Sequence, residues 1–181
     1  MANTTKYALA AALRELLQKT TLDNITVKDI VNQAGVSRQT FYYHFGDVYQ
    51  LLEWAFQDIV SDLCAPANGS WRDRLLLAVS LLRANRSLVM NVCHSLGAEY
   101  LGIGLRHAIH PIAEQSASRK CRELGLDEQE TDFAISFFTY GVVGIIIEWV
   151  RKGMPEDLDY MIDRIHEMLQ TIPLRIRQGA R

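Results

Sequence analysis

One segment of the chain, residues 25–45, constrains the fold more than any other part of the sequence. Its apolar residues recur with the spacing of one helix face, first before Gly35 and again after it. Thr26 can cap the first helix, with Asp29 completing a capping box, and Ser37 can cap the second. A glycine between two helices lets the backbone turn sharply without a side-chain clash. The segment therefore predicts a helix-turn-helix unit, in which two short helices pack through a tight turn.

The second helix of this unit carries side chains suited to reading DNA. The sequence has no acidic residue between Val36 and Phe45, and phosphate groups repel carboxylates. Arginine, glutamine, serine and threonine are the side chains that hydrogen-bond to base edges. The whole chain has a formal net charge of −2, so DNA binding would depend on local placement of charge. We predict an interface for double-stranded DNA formed by Ser37, Arg38, Gln39, Thr40, Tyr42, Tyr43 and His44.

The rest of the sequence also shows the apolar periodicity of helices, without convincing alternation of the kind that strands produce. We expect an all-α protein of about nine helices. A three-helix DNA-binding domain is expected over residues 1–47, followed by a helical domain over residues 48–181. Pro111 is expected to kink or divide its helix, because proline removes a backbone donor. Later helices are predicted near residues 71–84, 86–96, 99–124, 128–152 and 156–177.

The last two predicted helices have the features of a subunit interface. The first of them is apolar almost all round from Phe137 to Val150, which means burial on more than one side. Gly141 and Gly144 cost this helix up to about 1 kcal/mol each, and close approach of another helix would explain them. A single-chain core with incidental glycines is the alternative. The predicted homodimer interface consists of Gly141, Gly144, Ile145, Glu148, Met161, Ile165 and Met168.

Short motifs over residues 4–56 and near the end of the body match those of one known family. They are Thr26-x-x-x-Ile30, Ala34-Gly35-Val36-Ser37, Thr40-Phe41-Tyr42-x-His44-Phe45, Leu51-Leu52 and Tyr140-Gly141-x-x-Gly144-Ile145-x-x-Glu148-Trp149-x-x-x-Gly153. With these motifs the sequence resembles the TetR family of bacterial transcriptional regulators. Arg38-Gln39-Thr40-Phe41-Tyr42 with Trp54-x-Phe56 is also similar to regulators of dihydroxyacetone kinase operons within that family.

The resemblance implies a dimeric regulator that binds a palindromic operator and whose DNA affinity is controlled by a small-molecule effector. By position, it implies base reading in the major groove by Arg38, Gln39 and Thr40. It implies contacts to phosphates and sugars by Tyr42, Tyr43 and His44, flanked by Lys28 and Ser37.

One position departs from the family pattern. The family often has a lysine at the start of the fourth helix, where it contacts a phosphate. Val48 occupies that position here, directly after Gly46 and Asp47. The comparison implies that one phosphate contact is missing, or that Lys6 in the N-terminal arm supplies it.

The resemblance assigns effector binding and dimerisation to the second domain. A tilt of the helix over residues 48–63 would then move two recognition helices off successive major grooves, about 34 Å apart. The sequence does not identify the effector, and each polar or aromatic residue on these helices is at least as easily explained as a core or interface residue. The candidates for lining a pocket are Cys93, His94, Tyr100, His107, His110, Tyr140 and Trp149.

Other classes of protein fit the sequence less well. It has no nucleophile elbow, phosphate-binding glycine loop or H-E-x-x-H motif, so we expect no enzyme and no cofactor. His107 and His110 lie one turn apart, but no nearby acid or cysteine completes a metal-ligand set. The three cysteines include no C-x-x-C pair and the apolar runs are short, which favours a reducing cytoplasm and no membrane span. The remaining alternative is a helical interaction or ligand-binding module that has lost DNA binding.

Overall fold

The computed structural model describes residues 2–64, 70–95, 97–155 and 160–168, and every regular element within them is helical. A 3-10 turn, Leu22–Asn24, lies between the first two α-helices. The predicted all-α class is confirmed. The helices are α1 (Ala2–Leu17), α2 (Val27–Ala34), α3 (Arg38–His44), α4 (Val48–Cys64), α5 (Trp71–Ala84), α6 (Arg86–Cys93), α7 (Ala98–Glu123), α8 (Glu128–Arg151) and α9 (160–168).

The bounds of α2 and α3 follow from local hydrogen bonds. The Asp29 amide donates to the Thr26 hydroxyl at 3.3 Å, and the Thr26 amide donates to the Asp29 carboxylate at 2.9 Å. Gly35 ends α2 in the left-handed region, at φ 67° and ψ 32°, where a side chain would be strained. The Ser37 hydroxyl accepts from the Thr40 amide at 3.0 Å and caps α3. The predicted capping box, turn and cap are therefore all present.

Two later helices differ from the sequence-based expectation. α6 ends at Cys93 and not near residue 96, because the Ser95 hydroxyl donates to the Val92 carbonyl at 2.6 Å and accepts from the Gly97 amide at 3.0 Å, which turns the chain. α7 continues through Pro111 without being divided. Buried Ile109 and Ile112 on either side of the proline pack the helix on the core, which offsets the lost backbone bond. Of the helix predicted over 156–177, only residues 160–168 lie within the described part of the chain.

The chain divides into two compact units that alternate along the sequence. The first consists of Met1–Asp62 and Ala84–Gly104, and the second of Leu63–Arg83 and Leu105–Arg181. In the first unit, α1 packs against α2 and α6, and α2 packs against α3. The Asn91 side-chain amide donates to the Leu17 carbonyl at 2.8 Å, which ties α6 to the end of α1. The most buried side chains of this unit include Leu9, Leu13, Leu17, Ile30, Phe41 and Leu51.

The second unit packs around α8. Val142, Ile146 and Val150 are buried along this helix at intervals of four residues. By length and composition α8 could cross a bilayer, contrary to the expectation drawn from its shorter apolar runs, but 50% of its most apolar 18-residue window is buried inside the chain. Core helices of soluble proteins pass the same test, so this feature is weak evidence for a membrane span.

Candidate functional site

The outward side of α3 holds the side chains that the sequence assigns to DNA. Phe41 is fully buried and Phe45, one turn later, is nearly so, and together they fix the inner side of the helix. Tyr42 and Tyr43 are consequently turned outward and are 59% and 82% exposed. Lys28, Ser37, Arg38 and Gln39 are exposed as well, whereas Thr40 and His44 are half-buried. Large aromatic side chains are usually buried, so the exposure of two adjacent tyrosines on a short helix indicates a contact surface.

Local bonds leave some of these side chains available and engage others. Ser37 is engaged as the cap of α3, and its hydroxyl also lies 2.9 Å from the Thr40 hydroxyl. Among the described residues, no carboxylate forms an ion pair with Arg38. The Tyr43 and His44 rings pack edge to face with centroids 5.0 Å apart, which restrains both. The guanidinium of Arg38 is thus the cation on α3 that a base edge or phosphate can engage.

The residues that flank α3 include Val48, which stands where the family often has a phosphate-binding lysine. The Lys6 ammonium lies over the rings of Phe45 and Trp54, 5.7 and 5.8 Å from their centroids. Asp47 caps α4 by accepting from the Gln50 amide at 2.8 Å, and its side chain is exposed. An exposed carboxylate therefore stands at the start of α4, beside half-buried Val48.

Asp29 is the acid closest to this surface in sequence. Hydrogen bonds from the Thr26 side chain and backbone hold the pKa of its carboxyl below the usual value of 3.8, and the nearby Lys28 charge adds to the effect. The carboxylate is thus satisfied within the cap of α2.

The structure separates the residues proposed from the sequence to line an effector pocket. Cys93, His94 and Tyr100 belong to the first unit, and His107, His110, Tyr140 and Trp149 to the second. Cys93 is buried, His94 is exposed, and Tyr100 stacks on Tyr49. Trp149 is buried, and its indole donates to the Pro155 carbonyl at 2.9 Å.

His107, His110 and Tyr140 meet in one groove of about 450 Å³ between α7 and α8, which we call the α7–α8 groove. Arg106 lies beside them with its guanidinium carbon 5.8 Å from the Tyr140 ring centroid. Arg106 is not among the residues predicted from the sequence, although its spacing of four residues from His110 places the two on one face of a helix. The α7–α8 groove is lined by Arg106, His107, His110, Pro111, Ser136, Thr139 and Tyr140.

The residues proposed for a dimer interface lie mostly on an exposed apolar face of the second unit. Gly141 and Gly144 are exposed, and a Cβ added to either would meet no atom within 4 Å. Their lack of a side chain therefore serves no contact with the described part of this chain. Ile145 and Met168 are exposed and Met161 is half-buried, whereas Ile165 is buried in the unit itself. Phe133, Phe137, Tyr140, Gly141, Gly144, Ile145 and Glu148 are exposed along this side of α8.

Residues that could hold a metal are sparse. Over residues 2–64, 70–95, 97–155 and 160–168, no group of three or more His, Cys, Asp or Glu side chains is placed to hold an ion. Cys93 and Cys121 are free and buried, and burial raises the pKa of the Cys121 thiol.

Two sequence families match the chain over most of its length. Residues 9–54 match the family described as "Bacterial regulatory proteins, tetR family", and residues 69–171 match the one described as "Transcriptional regulator C-terminal region". The chain belongs to the TetR family of bacterial transcriptional regulators. The first match contains the whole helix-turn-helix unit of α2 and α3.

Individual relatives agree with this assignment. The HTH-type dhaKLM operon transcriptional activator DhaS of Lactococcus lactis subsp. lactis (strain IL1403) is 32% identical over 84 residues, which span 45% of each chain. The structure of "Dihydroxyacetone kinase operon activator DhaS" superposes with a TM-score of 0.65 at 21% identity, covering 92% of this chain and 94% of that one. A TetR regulator from Streptococcus agalactiae 2603V gives a TM-score of 0.63 at 20% identity, covering 93% and 94%. The structural likenesses establish the TetR fold.

Proposed function

We propose that this TetR-family regulator binds a palindromic operator as a homodimer and that a small-molecule effector changes its affinity for DNA. The observation that carries the proposal is the outward side of α3, a helix without an acidic residue, where Arg38, Gln39 and two tyrosines are exposed. Arg38, Gln39 and Thr40 are proposed to read base edges, because their side chains supply the donors and acceptors that the major groove pairs with. Tyr42, Tyr43 and His44 are proposed to contact phosphates and sugars, flanked by Lys28 and Ser37.

Dimerisation is supported by the apolar face of α8. Soluble monomers rarely expose a contiguous apolar patch of this kind, and glycines that meet no atom of the described residues suit the close approach of a second helix. A two-fold dimer would present two copies of α3 to successive major grooves, about 34 Å apart or a multiple of it, and the operator would mirror that symmetry.

The experiment is selection of bound DNA from a random pool, followed by fluorescence anisotropy on the enriched sequence across a salt series. A palindromic consensus with strongly salt-dependent affinity is expected, because each neutralised phosphate releases counterions. Absence of enrichment, with only weak binding that modest salt abolishes, would contradict the proposal. The alternative of a helical module that has lost DNA binding would then take its place, and the exposed Asp47 carboxylate at the start of α4 is the observation that favours it.

A further inference from the structure

The α7–α8 groove has the composition of an anion site. Arg106, His107 and His110 project from one face of α7, at i, i+1 and i+4, and Ser136, Thr139 and Tyr140 project from α8 at i, i+3 and i+4. The residues that line it include one permanent cation, two imidazoles and three hydroxyls, and none is acidic. A volume of about 450 Å³ lies within the range of sites that hold metabolite-sized ligands.

Arg106 is positioned to receive an anionic group. Its guanidinium lies over the Tyr140 ring, 5.8 Å from the centroid, so the ring covers a face of the group and leaves the N–H edges for other partners. Among the described residues, no carboxylate forms an ion pair with Arg106. A guanidinium edge matches a carboxylate or phosphate with two parallel hydrogen bonds.

Thr139 holds one of the imidazoles at the wall of the groove. Its buried hydroxyl donates to the Ile135 carbonyl at 2.8 Å and lies 3.5 Å from the His110 Nδ1.

We propose that the α7–α8 groove binds a small anionic ligand through a carboxylate or phosphate group, and that this ligand is the effector. The second half of the statement rests on the proposed function. The route to DNA is α7 itself, because Tyr100, two turns before Arg106, stacks on Tyr49 of α4. At Gly104 the two helices approach so closely that an added Cβ would lie 3.3 Å from the Phe56 Cβ. A ligand that binds Arg106 would therefore act through α7 on α4, the helix that directly follows α3.

Anion binding is tested first on the full chain without DNA. The probes are benzoate and inorganic phosphate, and benzamide is the uncharged control for benzoate. Saturable shifts of the His107 and His110 side-chain resonances with benzoate, phosphate or both are expected. Arg106→Gln should weaken the affinity about tenfold or more, because it removes a charge-assisted pair. Arg122→Gln, an exposed arginine later on the same helix, is the matched control and should change nothing. His107→Asp, at an exposed position that leaves the core intact, should also abolish anion binding.

Three results would overturn parts of this proposal, and they are distinguishable. If neither anion shifts the two histidines, or if benzamide binds as tightly as benzoate, the groove is not an anion site. If an anion binds but changes operator affinity by less than about fivefold, the lower bound of typical allosteric coupling, it is not the effector and the anion site stands. If the wild type binds no operator, the proposed function fails while the binding experiment still decides the site.

Discussion

Tyr49 on α4 and Tyr100 on α7 stack with their ring centroids 5.2 Å apart and their planes inclined by 19°. Both side chains are half-buried, and Tyr49 lies five residues after the end of α3 at His44. Stacked aromatic pairs contribute about 0.5–1.5 kcal/mol beyond the area that they bury. The pair therefore holds the start of α4 against α7, shortly after α3 in the sequence.

Tyr100→Ala should lower the free energy of unfolding by about 1–3 kcal/mol, since it removes the stack and leaves a partly buried gap. Tyr100→Phe keeps the ring and should stay within about 0.5 kcal/mol of the wild type. Urea denaturation followed by circular dichroism measures both. Equal losses in the two variants would mean that the hydroxyl, and not the stack, carries the stabilisation.

Arg38→Ala should cost about 1–3 kcal/mol of affinity on the enriched operator and relax the base preference at one position of each half-site. Anisotropy titrations on the operator and on random DNA of equal length measure the two losses. Lys19→Ala, an exposed cation beyond the end of α1, is the control and should affect both DNAs little. A loss of the same size on both DNAs would show that Arg38 contacts phosphate and reads no base.

Gly144→Leu should dissociate the dimer without harming the fold of a single chain. A Cβ at Gly144 meets no atom of the described residues within 4 Å, and leucine is a better helix former than glycine by up to about 1 kcal/mol. Sedimentation velocity should therefore show monomers while the thermal transition of the helices is retained. Ser80→Leu, at an exposed position of α5, is the control for an added surface leucine. An intact dimer at low concentration would contradict the assigned interface.

The helical fold was readable from the sequence because its signals are local. Apolar spacing, the Thr26–Asp29 box, Gly35 and the Ser37 cap all act within one or two turns, and each is present in the structure. The sequence could not predict that α7 continues through Pro111 as one helix. Burial of the flanking residues decides this, and burial depends on tertiary packing.

The α7–α8 groove could be predicted only in part, because it too depends on tertiary packing. Single residues suggested His107, His110 and Tyr140 as candidates, but only the pairing of α7 with α8 places Arg106 over Tyr140. Cys93 and Tyr100 looked equivalent to them in sequence and belong instead to the first unit. The contacts of Lys6 could not be predicted either, because the Phe45 and Trp54 rings beneath its ammonium lie far from it in the sequence.

The capping box of α2 should make the DNA-binding unit sensitive to acid. The Asp29 pKa is lowered in the folded chain by hydrogen bonds from Thr26, so its stabilising contribution is present above the ordinary value of 3.8 and is lost as the pH falls through the folded value. Thr26→Ala should raise the Asp29 pKa in a carboxyl NMR titration, whereas Thr26→Ser keeps the hydroxyl and should not. An unchanged titration in Thr26→Ala would show that the helix terminus, and not Thr26, sets the pKa.

Val48→Lys should restore a phosphate contact at the start of α4. Val48 is half-buried beside the exposed Asp47 cap, and a lysine stem can follow the apolar surface while its ammonium reaches solvent. The added contact should strengthen binding to operator and random DNA alike, because phosphates carry no sequence information.

The salt series separates this effect from a general gain of charge. The slope of log affinity against log salt should steepen by about one for Val48→Lys. Ser80→Lys adds the same charge at an exposed position of α5 and should leave the slope unchanged. An unchanged slope for Val48→Lys would mean that the start of α4 lies away from the DNA backbone, and that valine replaces a lysine here without loss of a contact.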